Sequence, residues 1–301
     1  MESAVQVVEV GPRDGLQNER EVIDTPGKLA LIGRLIDAGV RRIEVASFVN
    51  PRRVPQMADG DAVIAALPDR RDVSYIGLCL NLRGVERAIA SRDGGARGVD
   101  EAGCVLVASD TFGIRNQGQS IVEGVAANRD MLAAAARAGL VPQVTVSAAF
   151  GCPFEGHVPA QRVVELAEAM AEAGAVEIAL ADTIGVAVPA QVGDLFGAVA
   201  AAVPGVRLRA HFHDTRGTGI ANAWAAYRAG VHVLDASVGG IGGCPFAPKA
   251  TGNIATEDLL YLLDNSGVHT GVDLAAMIEV NRWFAGILGR ELPSRVARAA
   301  A

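Results

Sequence analysis

Two histidines stand two positions apart in the stretch RAHFHDT (209–215), and an aspartate follows directly. The chain holds five histidines in all, so the pairing of His211 with His213 asks for a reason. The pair closes the apolar run VRLRAHFH (206–213), which reads as a strand. Residues i and i+2 of a strand face the same side, so both imidazoles aim together. Two converging imidazoles at a strand end are the start of a divalent-cation site. The competing reading is a pair of satisfied core histidines, and HxH alone selects neither one metal nor one reaction.

Other reactive residue types recur at the ends of other apolar runs. After VQVVEV (5–10) comes GPRDG, with Arg13 and Asp14; the same residues also have the chemistry of a polar turn. Glu44 lies inside RIEVAS (42–47), and a buried carboxylate needs a partner, for which Arg13 is a candidate. VEIALAD (176–182) ends in Asp182, either a site residue or a cap for the turn that follows. VLDASV (233–238) leads into GGIGGCPFAPKATGNIATED (239–258), where Cys244 rides a Gly-rich stretch that reads as a flexible loop or as a lid. Asn253, in the same stretch, reads either as a helix N-cap or as a ligand through its amide oxygen.

The elements that must bring these residues together follow a repeating pattern. The five runs above, with VSYIGLC (73–79), CVLVAS (104–109) and QVTVSAA (143–149), make eight strand candidates. Between them lie Ala/Leu-rich helical patterns such as 25–39, 160–174 and 218–230. The first reads as a helix capped by Thr25, with Pro26 in its first turn and Gly39 at its close. Eight strand–helix units over about 250 residues predict a (β/α)8 TIM barrel. An open doubly wound sheet is the alternative, but no GxGxxG follows the first run. The barrel is expected over about 5–267, with 256–267 as its eighth helix. An extra C-terminal helical segment over about 271–290, carrying Trp283 and Phe284, is placed against the barrel or a second subunit. No linker divides the chain, so 1–301 reads as one catalytic domain.

In a closed barrel strands 7, 8 and 1 are neighbours, and chemistry sits at the C-terminal strand ends. Asp14, His211, His213 and Asn253 are therefore expected around one ion. Two nitrogens and two oxygens, with no thiolate, suit Mg²⁺ or Mn²⁺ best, and Zn²⁺ is also admissible.

Composition removes several classes. A net charge of −7 and 4% aromatic residues exclude a basic, base-stacking nucleic-acid surface. Mean hydropathy is +0.27, yet no run approaches the 18 or so apolar residues of a membrane span. The N-terminus lacks a basic leader, so a cytoplasmic protein is expected. None of the four cysteines forms a CxxC pair; Cys79, Cys104 and Cys152 read as buried small hydrophobes.

The segments VEVGPRDGLQNE, IEVASFVNPRRVPQM, ADTIGV, HFHDT, GGIGGCPFAPKATGNIATEDL and GVHTGVDL resemble the 3-hydroxy-3-methylglutaryl-CoA lyase family, from about residue 5 to 290. The family is part of a wider group of metal-dependent TIM-barrel lyases and synthases. The resemblance implies scission of 3-hydroxy-3-methylglutaryl-CoA, or a closely related 3-hydroxyacyl-CoA, into acetyl-CoA and acetoacetate or the corresponding keto acid. It implies an acyl-CoA as the small-molecule partner and a homodimer. Asp14, His211, His213 and Asn253 match the family's metal ligands, Arg13 the arginine beside the reacting thioester, and Cys244 the loop acid. Glu44 and Asp182 match acidic positions behind the ligands. Arg216 stands where the animal enzymes carry tyrosine, and an arginine beside the metal would recognise a different carboxylate or a longer acyl chain. The alternative is a synthase or aldolase joining acetyl-CoA to a 2-oxo acid on the same barrel. Such synthases carry a GxGER-type strand 8 loop in place of GGCP.

Overall fold

The computed structural model describes residues 4–52, 54–243 and 252–300. Eight strands follow one another around a closed barrel in chain order. They are β1 (Gln6–Glu9), β2 (Arg42–Ser47), β3 (Ser74–Cys79), β4 (Glu101–Val107), β5 (Val141–Ser147), β6 (Glu177–Asp182), β7 (Arg207–Phe212) and β8 (Val233–Ala236). All neighbours pair in parallel, and β8 closes on β1. Every position of β2 and β6 is buried, as expected of strands covered on both faces.

Eleven helices accompany the strands among the described residues: α1 (Thr25–Asp37), α2 (Gly60–Ala65), α3 (Leu82–Ala90), α4 (Asp110–Gln117), α5 (Ile121–Arg137), α6 (Ala160–Glu172), α7 (Pro189–Ala202), α8 (Gly219–Arg228), α9 (Thr256–Asn265), α10 (Leu274–Leu288) and α11 (Arg295–Ala299). The cap of α1 is Asp24, not Thr25: its carboxylate accepts from Gly27 N at 2.8 Å. Thr25 is the first helical residue, and its hydroxyl donates to Asp59 Oδ2 at 2.7 Å. A carboxylate is the better partner for the positive helix terminus. The short α4 departs from the plain repeat, because Ser109 caps a helix before α5 begins at its own Ser120–Glu123 capping box.

β4 and β5 begin two or three residues before their apolar runs. Glu101 opens β4 as a buried ion-pair partner, and Pro142 sits near the start of β5. Neither residue shows in a hydrophobic pattern. The interior below the strand ends is correspondingly ionic. Arg42 donates to Glu101 at 2.8 and 2.6 Å and to Glu177 at 2.8 Å through two nitrogens.

The extra helix α10 packs on the barrel's own helices. The backbone N–H of its cap Asp273 donates to Ala38 O after α1, and Arg34 of α1 lies over the Trp283 ring at 4.4 Å. Asn281 reaches Glu257 of α9 at 3.2 Å, and Phe284 is fully buried. Among the described residues no helix is long and apolar enough to cross a membrane.

Candidate active site and metal centre

The segment after β1 forms a π-helical turn over Gly11–Gly15. Such wide turns are rare and concentrate at functional sites. Pro12 enters it and Gly15 lets it press against the β8 end, since a Cβ there would lie 2.8 Å from Ser237 Oγ and 2.7 Å from Ile241. The turn aims Arg13 and Asp14 at the barrel mouth. Arg13 donates to Asp14 Oδ1 at 2.7 Å and to Glu44 Oε2 at 2.6 Å. Glu44 thus has the partner its burial demands, at a point where β2 slips register against β3 between Glu44 and Ala46.

Asp14, His211 and His213 each offer an atom within 4.8 Å of the others. The two imidazoles face the same way from β7 and its end, with ring centroids 5.2 Å apart. Burial works to raise the Asp14 pKa, but Arg13, and then the two histidines, hold it well below the usual carboxylate range. Burial, and then His211, pull His213 down to about 4, so its imidazole is neutral at pH 7. Burial also opposes the charge of Arg13, yet Glu44 and Asp14 outweigh it and raise the guanidinium above its ordinary value.

Asn253 is no N-cap: α9 starts at Thr256, preceded by Ala255. Its amide donates to Asp14 Oδ2 at 2.8 Å and to Ile241 O at 3.2 Å, while Oδ1 is buried with no partner. His213 Nδ1 is also buried and unpartnered. An ionised carboxylate, a neutral imidazole with an unpartnered nitrogen and an orphaned amide oxygen form a donor set that fits a hard divalent cation. Asp14, His211, His213 and Asn253 are the residues able to hold one.

Two other candidates fall elsewhere, and a third is not among the described residues. Asp182 is fully buried, and its carboxylate accepts from Val186 N and Ala187 N, both at 2.9 Å, so it ties down the β6 loop. Arg216 does not stand beside the metal site: it donates to Ile184 O at 3.1 Å and Gly185 O at 2.8 Å, bracing that same loop. Cys244 lies outside the described residues, but its neighbour Gly243 lines the pocket, with Asn18 Nδ2 2.6 Å from its carbonyl. Cys152 is buried but is more than a small hydrophobe, because its sulfur lies 3.0 Å from Ser109 Oγ and 3.4 Å from the Phe154 and Glu155 amides.

The glycines around β8 are not those of a slack loop. Gly239, Gly240 and Gly242 have φ of 66°, 73° and 123°, a region that favours glycine. A Cβ on Gly252 would collide with Gly240 O and lie 2.7 Å from Gly242 O. Both stems of the loop are therefore pinned together beside Asn253. Two carboxylates unremarked in the sequence hold this base: Glu9 accepts from Gly11 N, Val238 N and Thr256 Oγ1 at 2.7–2.9 Å, and Glu257 from Gly239 N at 3.0 Å. Burial pushes Glu9 up to about 7 and Glu257 up to about 8. Asp235 was missed too. It lies 3.1 Å from His211 Nδ1, within hydrogen-bond distance, and the signal that marks Glu44, a carboxylate within an apolar strand, would have found it.

The pocket above this cluster has a second, apolar side. Val49, Val54, Leu78, Leu80, Val105 and Phe112 line it from the ends of β2–β4 and from α4. In a closed eight-stranded barrel β3 and β4 lie across from β7 and β8.

The model of the HMGL-like family matches residues 4–283. The chain belongs to this family. It is 44% identical to an (R)-citramalyl-CoA lyase of Chloroflexus aurantiacus, over 98% of this chain and 95% of that protein. It is 43% identical to the mitochondrial hydroxymethylglutaryl-CoA lyase of Gallus gallus, over 98% of this chain and 97% of the relative. Among solved family structures, an HMG-CoA lyase from Acinetobacter baumannii, in complex with coenzyme A and 3-methylmalate, superimposes with a TM-score of 0.92. It shares 38% identity and covers 98% of this chain and 95% of that one.

Proposed function

We propose that this protein is a divalent-cation-dependent acyl-CoA lyase. It would split a 3-hydroxyacyl-CoA of the 3-hydroxy-3-methylglutaryl or citramalyl type into acetyl-CoA and a keto acid by retro-Claisen scission. The observation that carries this reading is the junction of Asp14, His211 and His213 with Arg13 at the C-terminal rim of the barrel. The family membership and full-length similarity to two such lyases support it.

A bound Mg²⁺ or Mn²⁺ would lower the pKa of the substrate hydroxyl and hold the neighbouring carboxylate. The rest falls to the chain's own residues. Arg13 stays charged and keeps Nε without a partner in the buried site, so it can meet negative charge growing on the thioester oxygen. Glu44 fixes its guanidinium from one side and Asp14 from the other. The apolar side of the pocket suits an aliphatic substituent on the reacting carbon and excludes water there. Cys244 is proposed as the acid that protonates the nascent carbanion, since a thiol with a reference pKa of about 8.5 gives up a proton near neutrality. The position of Gly243 in the pocket supports that assignment.

The test is release of acetyl-CoA from 3-hydroxy-3-methylglutaryl-CoA and from citramalyl-CoA, with Mg²⁺, with Mn²⁺ and with chelator. Cleavage of either substrate that stops with chelator is expected. Condensation of acetyl-CoA with a 2-oxo acid, without cleavage of either, would overturn the proposal in favour of a synthase.

A further inference from the structure

Below the imidazole of His211 runs a continuous line of ionic groups that the reaction does not explain. Arg207, Arg209 and His211 alternate along β7 and so point to one side of it, into the barrel. Arg42 clasps Glu177, whose carboxylate also meets Arg207 Nε at 2.6 Å and Arg209 Nη1 at 3.4 Å. Arg209 lies beneath His211, with Nη2 on Thr145 Oγ1 at 3.1 Å and Nε 3.4 Å from Asp235 Oδ1. The other oxygen of Asp235 lies 3.1 Å from His211 Nδ1, within hydrogen-bond distance. Arg209 Nε and Asp235 Oδ1 face each other without making a hydrogen bond elsewhere, and both residues are nine-tenths or more buried. Asp235 therefore has one oxygen spent on charge compensation from below and one on the imidazole above.

We propose that Asp235 is a positioning residue that holds the proton of His211 on Nδ1, leaving the Nε2 lone pair for the cation, and that Arg209 keeps Asp235 aimed. This rests on the metal reading given above. The chemistry is that of a carboxylate behind a metal-bound imidazole: it fixes tautomer and ring orientation and raises the ligand's basicity. Removal of such a partner costs about 10–100-fold in metal affinity. The geometry also explains why a guanidinium stands so near a cation site. Glu177 and Asp235 flank its charge at 3.4 Å each, which weakens its repulsion of an ion above.

The decisive measurement is Mn²⁺ binding to the free protein, followed by electron paramagnetic resonance, for wild type, Asp235→Asn and Arg209→Met. Circular dichroism reports whether each variant is folded. Asp235→Asn is expected to bind Mn²⁺ about 10–100-fold more weakly with the fold kept. Arg209→Met is expected to weaken binding by less. Unchanged Mn²⁺ affinity in Asp235→Asn overturns the proposal while leaving the metal site intact. Failure of wild type to bind Mn²⁺ at all sinks the metal reading and this one with it. A second readout does not depend on a variant folding. In long-range ¹H–¹⁵N spectra of the Mg²⁺-loaded wild type, His211 should carry its proton on Nδ1. A proton found on Nε2 overturns the assignment.

Discussion

Two clusters of buried charge share the barrel interior. In the lower half, each nitrogen of Arg42 has an acceptor: Nε goes to Glu101, Nη1 to Glu177 and Gln6, Nη2 to both glutamates. At the rim, Arg13 is gripped just as tightly by Asp14 and Glu44, yet its Nε, His213 Nδ1 and Asn253 Oδ1 are buried with nothing to bond. Both clusters pay the same kind of desolvation cost. The lower one is closed around Arg42 itself, although Gln143 Oε1, on the amide that donates to Glu101, has no partner. The upper one is open, and its surplus donors and acceptors are directed to something the protein must bind. Charge content does not separate structure from function here; the two guanidinium groups differ in that every nitrogen of Arg42 is bonded within the protein and Arg13 Nε is not.

The contrast can be broken most severely from below. Arg42→Ala takes from buried Glu101 its ion-pair partner and leaves Glu177 to Arg207 and Arg209, and should cost about 3–5 kcal/mol in chemical denaturation. Turnover per folded molecule should hardly change. A loss of activity without a loss of stability would make the lower cluster part of the site.

Arg13→Gln tests the upper cluster. Turnover should fall about 10²–10³-fold, as for loss of one donor to a developing oxyanion. Mn²⁺ binding should survive, because Asp14 and both imidazoles remain. A variant that loses the cation but not the rate constant would reverse the roles assigned to Arg13 and its neighbour.

The loop base adds a pH test. Glu9 and Glu257 titrate near 7 and 8 in the folded state, above the ordinary carboxylate value of 4.5. Between those values the folded chain binds more protons than the unfolded one, so their contribution to stability is present at low pH and is lost as pH rises from about 4.5 through 8. For Glu9 the change is at most on the order of 3 kcal/mol. Glu9→Gln should flatten the decline in unfolding free energy between pH 5 and 8; an equal slope in the variant would refute the assignment.

The smallest effect is expected at Arg216. Its bonds to Ile184 O and Gly185 O are at the surface of the β6 loop, so Arg216→Ala should cost about 1 kcal/mol or less. Preference among acyl-CoA substrates should stay as in wild type. A switch in preference would bring the guanidinium into the pocket after all.

Much of the barrel was legible because buried parallel strands write themselves as apolar runs: β2 was delimited to the residue, and the other strands lie within or overlap the runs read for them. The HxH spacing predicted one facing direction for both imidazoles, and the carboxylate in RIEVAS predicted a cationic partner, found in Arg13. Reading stopped where polar residues do structural work inside strands. Glu101 and Arg209 interrupt no apolar pattern strongly enough to be noticed, Asp235 carries the same signal as Glu44 but went unread, and Glu9 and Glu257 look like ordinary surface acids until their backbone partners are known.

What the chain determined by itself was periodicity and local chemistry: eight strands, the helices between them, and reactive residues at successive strand ends. Those properties depend on neighbours a few residues away. Only closure of the barrel brought Asp14 to Asn253, 239 positions apart, and set Asp235 behind His211. Whether a polar atom is satisfied or left open depends on partners from distant segments, and that distinction belongs to the tertiary structure alone.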